Sequence, residues 1–68
     1  MTISARNQIE GSVKAVTLGN VMAEVVVDIG GGREMVAAIT RGSAEAMGIR
    51  EGERVRVVIK STDVMIEK

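Results

Sequence analysis

The chain has 68 residues, nine basic and nine acidic, and contains no Cys, His, Phe, Trp or Tyr. That inventory excludes disulfides and the usual zinc, copper and iron ligands, and a formal charge of zero argues against a coat for DNA or anionic membrane. The length allows one domain, residues 1–68, with one small core. Residues 9–18 alternate as a half-buried strand, with Ile9, Gly11, Val13 and Ala15 on one face and Glu10, Ser12 and Lys14 on the other. Gly19-Asn20 signals a turn, because both residues tolerate positive φ. Residues 21–29 predict a second strand with Val21, Ala23, Val25, Val27 and Ile29 inward. Met22 and Val26 are apolar on its other face, which points to partial cover there too.

Gly30-Gly31-Gly32 reads as a hairpin turn and not as a phosphate loop, since no Lys-Ser/Thr follows it. Residues 33–40 predict a third strand, with Met35, Ala37 and Ile39 on one face. Residues 43–48 predict one or two turns of helix, opened by Ser43 and closed by Gly48. Residues 54–60 predict a fourth strand in which Val55, Val57 and Ile59 alternate with Arg54, Arg56 and Lys60. After Ser61-Thr62-Asp63, residues 64–66 predict a short last strand. The order predicts an all-β fold: an OB-like small five-stranded barrel with one short helix between strands 3 and 4.

Eleven Val and seven Ile stand against a single Leu, an excess of β-branched residues that favours strands. A core without aromatics lacks the side chains that bury the most area, so subunit association is the expected source of further buried surface. No apolar run is long enough to span a bilayer, and Met1-Thr2-Ile3-Ser4 does not begin a signal peptide. A cytoplasmic location is expected.

Two polar segments carry the chemistry. Ser4-Ala5-Arg6-Asn7-Gln8 and Lys60-Ser61-Thr62 each set small hydroxyls beside a cation. A doubly charged tetrahedral oxyanion needs donors converging from several directions and at least one positive charge. Arg6 offers a planar fork of donors that stays charged, Lys60 a compact point charge, and Ser4, Ser61 and Thr62 offer hydroxyls. Charge-assisted donors of this kind are about twice as strong as neutral ones. Thr40 and Ser43 form a third candidate group beside the predicted helix. Plainer uses stand beside these. Arg6 could pair with a surface Glu, Lys60 could be a solvated strand end, Ser61-Thr62 a turn, and Ser43 a helix cap.

Ser4-Ala5-Arg6-Asn7-Gln8, followed by Gly11 opening a Val-rich strand, resembles the signature of the molybdate-binding Mop family, a TOBE-like domain. That family includes the small bacterial molbindins and domains at the ends of molybdate-responsive regulators and transporter ATPases. The likeness runs through Ala38-Ile39-Thr40, Ser43 and Met47-Gly48-Ile49, and ends in Ile59-Lys60-Ser61-Thr62-Asp63-Val64-Met65-Ile66. The resemblance implies an OB-like barrel, a homohexamer built as a trimer of dimers, and molybdate or tungstate held between subunits. Carried onto this chain, it implies Ser4, Arg6, Lys60 and Ser61 as ligands, with Thr40 and Ser43 contributing. The metal would be carried only as its oxyanion, with no other cofactor and with neither nucleic acid nor membrane as partner.

The implied role is intracellular storage or buffering without catalysis. Without His, Cys or Tyr, acid–base work would fall to carboxylates or lysine, and no carboxylate pair has a spacing that suggests a shared proton. An alternative is a small transcriptional regulator of the swapped-hairpin type, because residues 47–55 resemble the turn such DNA-binding proteins use. The neutral charge balance weighs against it.

Overall fold

Alternating β-branched residues become four antiparallel strands in the computed structural model, which describes residues 3–68. These are β1 (Asn7–Leu18), β2 (Met22–Gly30), β3 (Arg33–Thr40) and β4 (Arg54–Ile59), with helix α1 (Arg41–Met47) between β3 and β4. They form one sheet in the order β3-β2-β1-β4. β1 serves both neighbours with different halves. Residues 7–12 pair with β4, from Asn7↔Ile59 to Ser12↔Arg54. Residues 12–18 pair with β2, from Ser12↔Asp28 to Leu18↔Ala23.

The two halves meet at an irregularity between Val13 and Ala15. It corrects the expected alternation. Val13 faces Val27, but the extra residue, Lys14, turns Ala15 outward opposite Val26 and brings Val16 inward opposite Val25. Residues opposite one another in an antiparallel pair share a face, so the inward set is Ile9, Gly11, Val13 and Val16. Just before the bulge β1 comes so close to β2 that only glycine fits. A Cβ at Gly11 would stand 2.5 Å from the Asp28 carbonyl oxygen and 2.7 Å from Val27 Cγ1.

Val13, Val25 and Val27 are the buried centre, packed by Val16, Ile29, Ile39, Ile49, Val55 and Val57. Val21, expected inward, lies before β2 and is 72 % exposed. The β1–β2 turn also differs from expectation, since neither Gly19 nor Asn20 has positive φ. The turn closes instead by a Gly19 N–H donating to the Met22 carbonyl at 2.8 Å. The hairpin at Gly30-Gly31-Gly32 is as expected, with φ of 92°, 63° and 74°. Its two central residues take the positive φ that a tight two-residue hairpin turn needs.

The helix starts two residues earlier than predicted and its cap is Thr40, not Ser43; Gly48 ends it in the left-handed conformation. Arg41 holds the helix start to the β1–β2 turn, its N–H donating to the Val21 carbonyl at 2.8 Å and its guanidinium to the Gly19 carbonyl at 3.3 Å. After the helix the chain returns to β1: the Gly52 N–H donates to the Val13 carbonyl at 2.8 Å and the Val13 N–H to the Glu53 carbonyl at 2.9 Å. Residues 47–55 thus close on β1 of their own chain.

The predicted fifth strand is not formed. Ser61–Asp63 is a single 3₁₀ turn, and residues 64–66 pair with no strand among the described residues. The sheet therefore stays open, with β3 and β4 as free edges. Between them lies an apolar cleft of about 440 Å³, lined by Val25, Val27, Ala37, Ile39, Ile49 and Val57 among others. A three-residue strand makes too few backbone bonds to offset its own ordering. Val64, Met65 and Ile66 are 47 %, 91 % and 89 % exposed.

Candidate functional site

Register decides which candidate residues meet. Asn7↔Ile59 is the last pair of the β1–β4 ladder. One step beyond it, the chain leaves β1 at Arg6 and β4 at Lys60. The ladder that ends there brings the segment carrying Ser4 and Arg6 and the segment carrying Lys60 and Ser61 to the same end of the sheet. The first and last segments of the sequence thus lie at one end of the sheet of a single chain.

All four of these residues are exposed. Ala5 between them is buried, at 7 % exposure, and anchors the arm that carries Ser4 and Arg6. Among the described residues the ion pairs are Lys14–Glu34, Arg41–Glu45, Arg54–Glu10 and Arg56–Glu10, so neither Arg6 nor Lys60 takes part in one. The plainer reading of Arg6 as a surface ion-pair partner finds no carboxylate there. Two cations outside the ion pairs, with hydroxyls next to them in the sequence, make this a donor-rich end of the sheet, and the acid that follows Lys60 along the chain is Asp63 in the 3₁₀ turn. Thr62 sits in the 3₁₀ turn that follows, exposed like its neighbours.

Thr40 and Ser43 lie elsewhere. Thr40 pairs with Met22 at the end of β3, beside the end of β1 that holds Leu18. The whole of β1 separates them from Arg6, a path of roughly 35 Å at the usual rise per residue. The Thr40 hydroxyl donates to Ser43 Oγ at 2.8 Å and accepts from the Ser43 N–H at 3.1 Å, which is a helix cap. One chain therefore cannot place all six candidate residues around one small anion.

Sequence reasoning passed over Asn7 and Gln8 as individuals, although both lie in the signature segment. The Asn7 amide donates to the Ile59 carbonyl at 3.3 Å, and the Gln8 amide donates to the Ala5 carbonyl at 2.8 Å. Gln8 Oε1 in turn accepts from Arg56 at 3.3 Å. Arg56 and Arg54 flank Glu10 at 3.6 Å and 3.8 Å on the exposed face of β1 and β4. Lys14, at the β1 bulge, donates to Glu34; that hydrogen bond, with the attraction of Glu34 and of Asp28, holds its ammonium above the ordinary lysine range. No group of three His, Cys, Asp or Glu among the described residues is arranged to hold a metal ion, and no described helix is long and apolar enough to cross a membrane.

Fold and surface chemistry together define a small antiparallel β-domain with cation-and-hydroxyl segments at one end of its β1–β4 strand pair. The chain belongs to the TOBE domain family, which matches residues 3–66. It is 53 % identical over 66 residues to molybdenum-pterin-binding protein 3 of Clostridium pasteurianum, covering 97 % of both chains. It matches a solved structure of a molybdate binding protein from Sporomusa ovata with a TM-score of 0.95 and 40 % identity, covering 100 % of each. The cytoplasmic molybdate-binding protein ModG, solved with molybdate bound, matches with a TM-score of 0.85 and 34 % identity over 90 % of this chain and 43 % of its own. These relatives bear out the resemblance carried by the opening and closing segments. The three described here are binding proteins by name.

Proposed function

We propose that this protein binds molybdate or tungstate reversibly and holds it in store, with no chemistry performed on it. The observation that carries this reading is the β1–β4 register, which brings the segments of Arg6 and Lys60 to one end of the sheet, with neither cation in an ion pair among the described residues. Two unpaired cations with Ser4 and Ser61 beside them suit a tetrahedral dianion, which accepts hydrogen bonds on every side. The guanidinium gives two donors in one plane and the ammonium gives three that rotate, so the pair can converge on one anion from different directions. The names of the relatives supply the particular anion.

Thr40 and Ser43 enter the same site from a second copy, since their own chain holds them at the far end of β1. A shared site goes with assembly, and the surface supports assembly. The open cleft between β3 and β4 and the exposed Val64, Met65 and Ile66 complement each other. Residues 64–66 of one copy, laid between β3 and β4 of another, would supply the missing fifth strand and close the barrel. A homohexamer, as a trimer of dimers, repeats such an interface around a closed ring. An anion bound only by the assembled state then stabilises it by mass action. A chain free of cysteine, and a relative described as cytoplasmic, support work in the cytoplasm.

Isothermal titration of the full chain with molybdate, tungstate and sulfate tests the reading. At least one metalate is expected to bind more tightly than sulfate. Sulfate binding as tightly as both metalates would overturn it.

A further inference from the structure

We infer that Asn7 and Gln8 are positioning residues for the oxyanion, clamping the two cationic segments in place without touching the ligand. The inference rests on the oxyanion reading above and assigns a task to side chains outside the six candidate ligands.

The ladder between β1 and β4 ends at Asn7↔Ile59, so Arg6 and Lys60 lie just beyond the backbone bonds that would fix them. Something else must hold the two strand ends. The Gln8 amide reaches back three residues and donates to the carbonyl of Ala5 at 2.8 Å, the residue immediately before Arg6. The Asn7 amide donates across the strand pair to the carbonyl of Ile59 at 3.3 Å, the residue immediately before Lys60. Each clamp thus fixes the residue one step ahead of a cation.

Side chains at successive strand positions point to opposite faces, so the two clamps act from the two sides of the sheet. Gln8 is itself braced. Its Oε1 accepts from Arg56 at 3.3 Å, and Arg56 lies 3.6 Å from Glu10. A side-chain amide can donate to a carbonyl and accept from a guanidinium at once; an ionised carboxylate lacks the donor, and a thioether has no donor and only a weak acceptor. The network also fixes which end of the Gln8 amide is which.

Both residues are exposed, so neither contributes to the core. Their effect falls on preorganisation. Donors already held in place lose less freedom when the anion arrives, and binding is stronger for it.

The test compares wild type, Gln8→Met, Asn7→Ala and Ser12→Ala in the full chain. Each is titrated with molybdate and with sulfate, and its thermal midpoint and assembly mass are measured without anion. Ser12→Ala is the control, since it removes an acceptor from Arg54, bonded at 3.2 Å on the same strand pair but away from the clamps. Gln8→Met and Asn7→Ala are each expected to weaken molybdate binding about three- to tenfold, the worth of one hydrogen bond. They should also lower the preference for molybdate over sulfate, with midpoint and mass unchanged, while Ser12→Ala binds as wild type does. If Gln8→Met fails to fold, Gln8→Asn takes its place, an amide one methylene too short to reach both partners. Wild-type affinity in the amide variants, or loss of affinity only in proportion to lost folded protein, would overturn the clamp. Absence of molybdate binding by wild type itself would instead overturn the oxyanion reading on which the clamp depends.

Discussion

Replacing Gly11 with alanine puts a methyl group where β1 and β2 come closest. The new carbon would lie 2.5 Å from the Asp28 carbonyl oxygen and 2.7 Å from Val27 Cγ1. The valine can yield a little, but the carbonyl belongs to β2, held on its far side where Asp28 pairs with Glu34. Relief must come from the backbone, and overpacking of this kind costs about 1–3 kcal/mol. Alanine recovers part of that, since glycine inside a strand is worse by roughly 0.5–1 kcal/mol. The net loss is about 0–2.5 kcal/mol, centred near 1 kcal/mol, which corresponds to a fall in melting temperature of roughly 4–8 °C for a domain of this size. Thermal melts followed by circular dichroism at one fixed protein concentration would measure it, because association contributes to the midpoint. Gly42→Ala is the matched control, as nothing lies within 4 Å of its added carbon. An alanine at position 11 that melts at or above wild type would refute the close approach of β1 and β2.

Arg6→Ala and Lys60→Ala should each weaken molybdate about 10- to 100-fold, the range for one charge-assisted hydrogen bond, with the assembly mass unchanged; a variant that dissociates would show the residue to be structural. Deleting residues 64–68 should lower the assembled mass seen by analytical ultracentrifugation, and an unchanged mass would exclude the donated fifth strand. Lys14 has its folded pKa raised by Glu34, so the stability it gives is whole below the ordinary lysine value of 10.5 and is lost as pH climbs through the higher folded value. Denaturant unfolding from pH 9 to pH 12 should show a shallower alkaline decline in Lys14→Met than in wild type, with the difference shrinking in salt because the pair is exposed. Equal declines would remove the pair from the pH dependence.

Alternation made the strands legible in the sequence, because a period of two is a local property that Val13, Val25, Val27, Val55 and Val57 display on their own. The bulge at Lys14 was not legible. Nothing in Val13-Lys14-Ala15-Val16 marks which residue is extra; β1 changes partner there, and only the partners reveal it. Residues 64–66 show the converse. Their pattern predicts a strand that the chain does not form, and the free edges of the sheet flank a cleft that the chain's own tail does not fill. At the candidate site, residue types pointed to Ser4, Arg6, Lys60 and Ser61, and pairing at Asn7↔Ile59 brings those segments together. The sequence did not show that these segments reach the same end of one sheet, since register is a long-range property. Nor did it show Thr40 and Ser43 to lie at the other end of β1. It concealed the work of Asn7 and Gln8 as well, whose amides act on backbone carbonyls that leave no trace in residue identity.

The central claim is that an oxyanion sits between Ser4-Arg6 and Lys60-Ser61. Crystals grown with molybdate, with data collected at the molybdenum absorption edge, locate the metal directly. The expected result is an anomalous peak beside Arg6 and Lys60, within hydrogen-bonding reach of both through the oxygens of the anion. Molybdenum peaks only at other positions, with those two side chains turned to solvent, would contradict it.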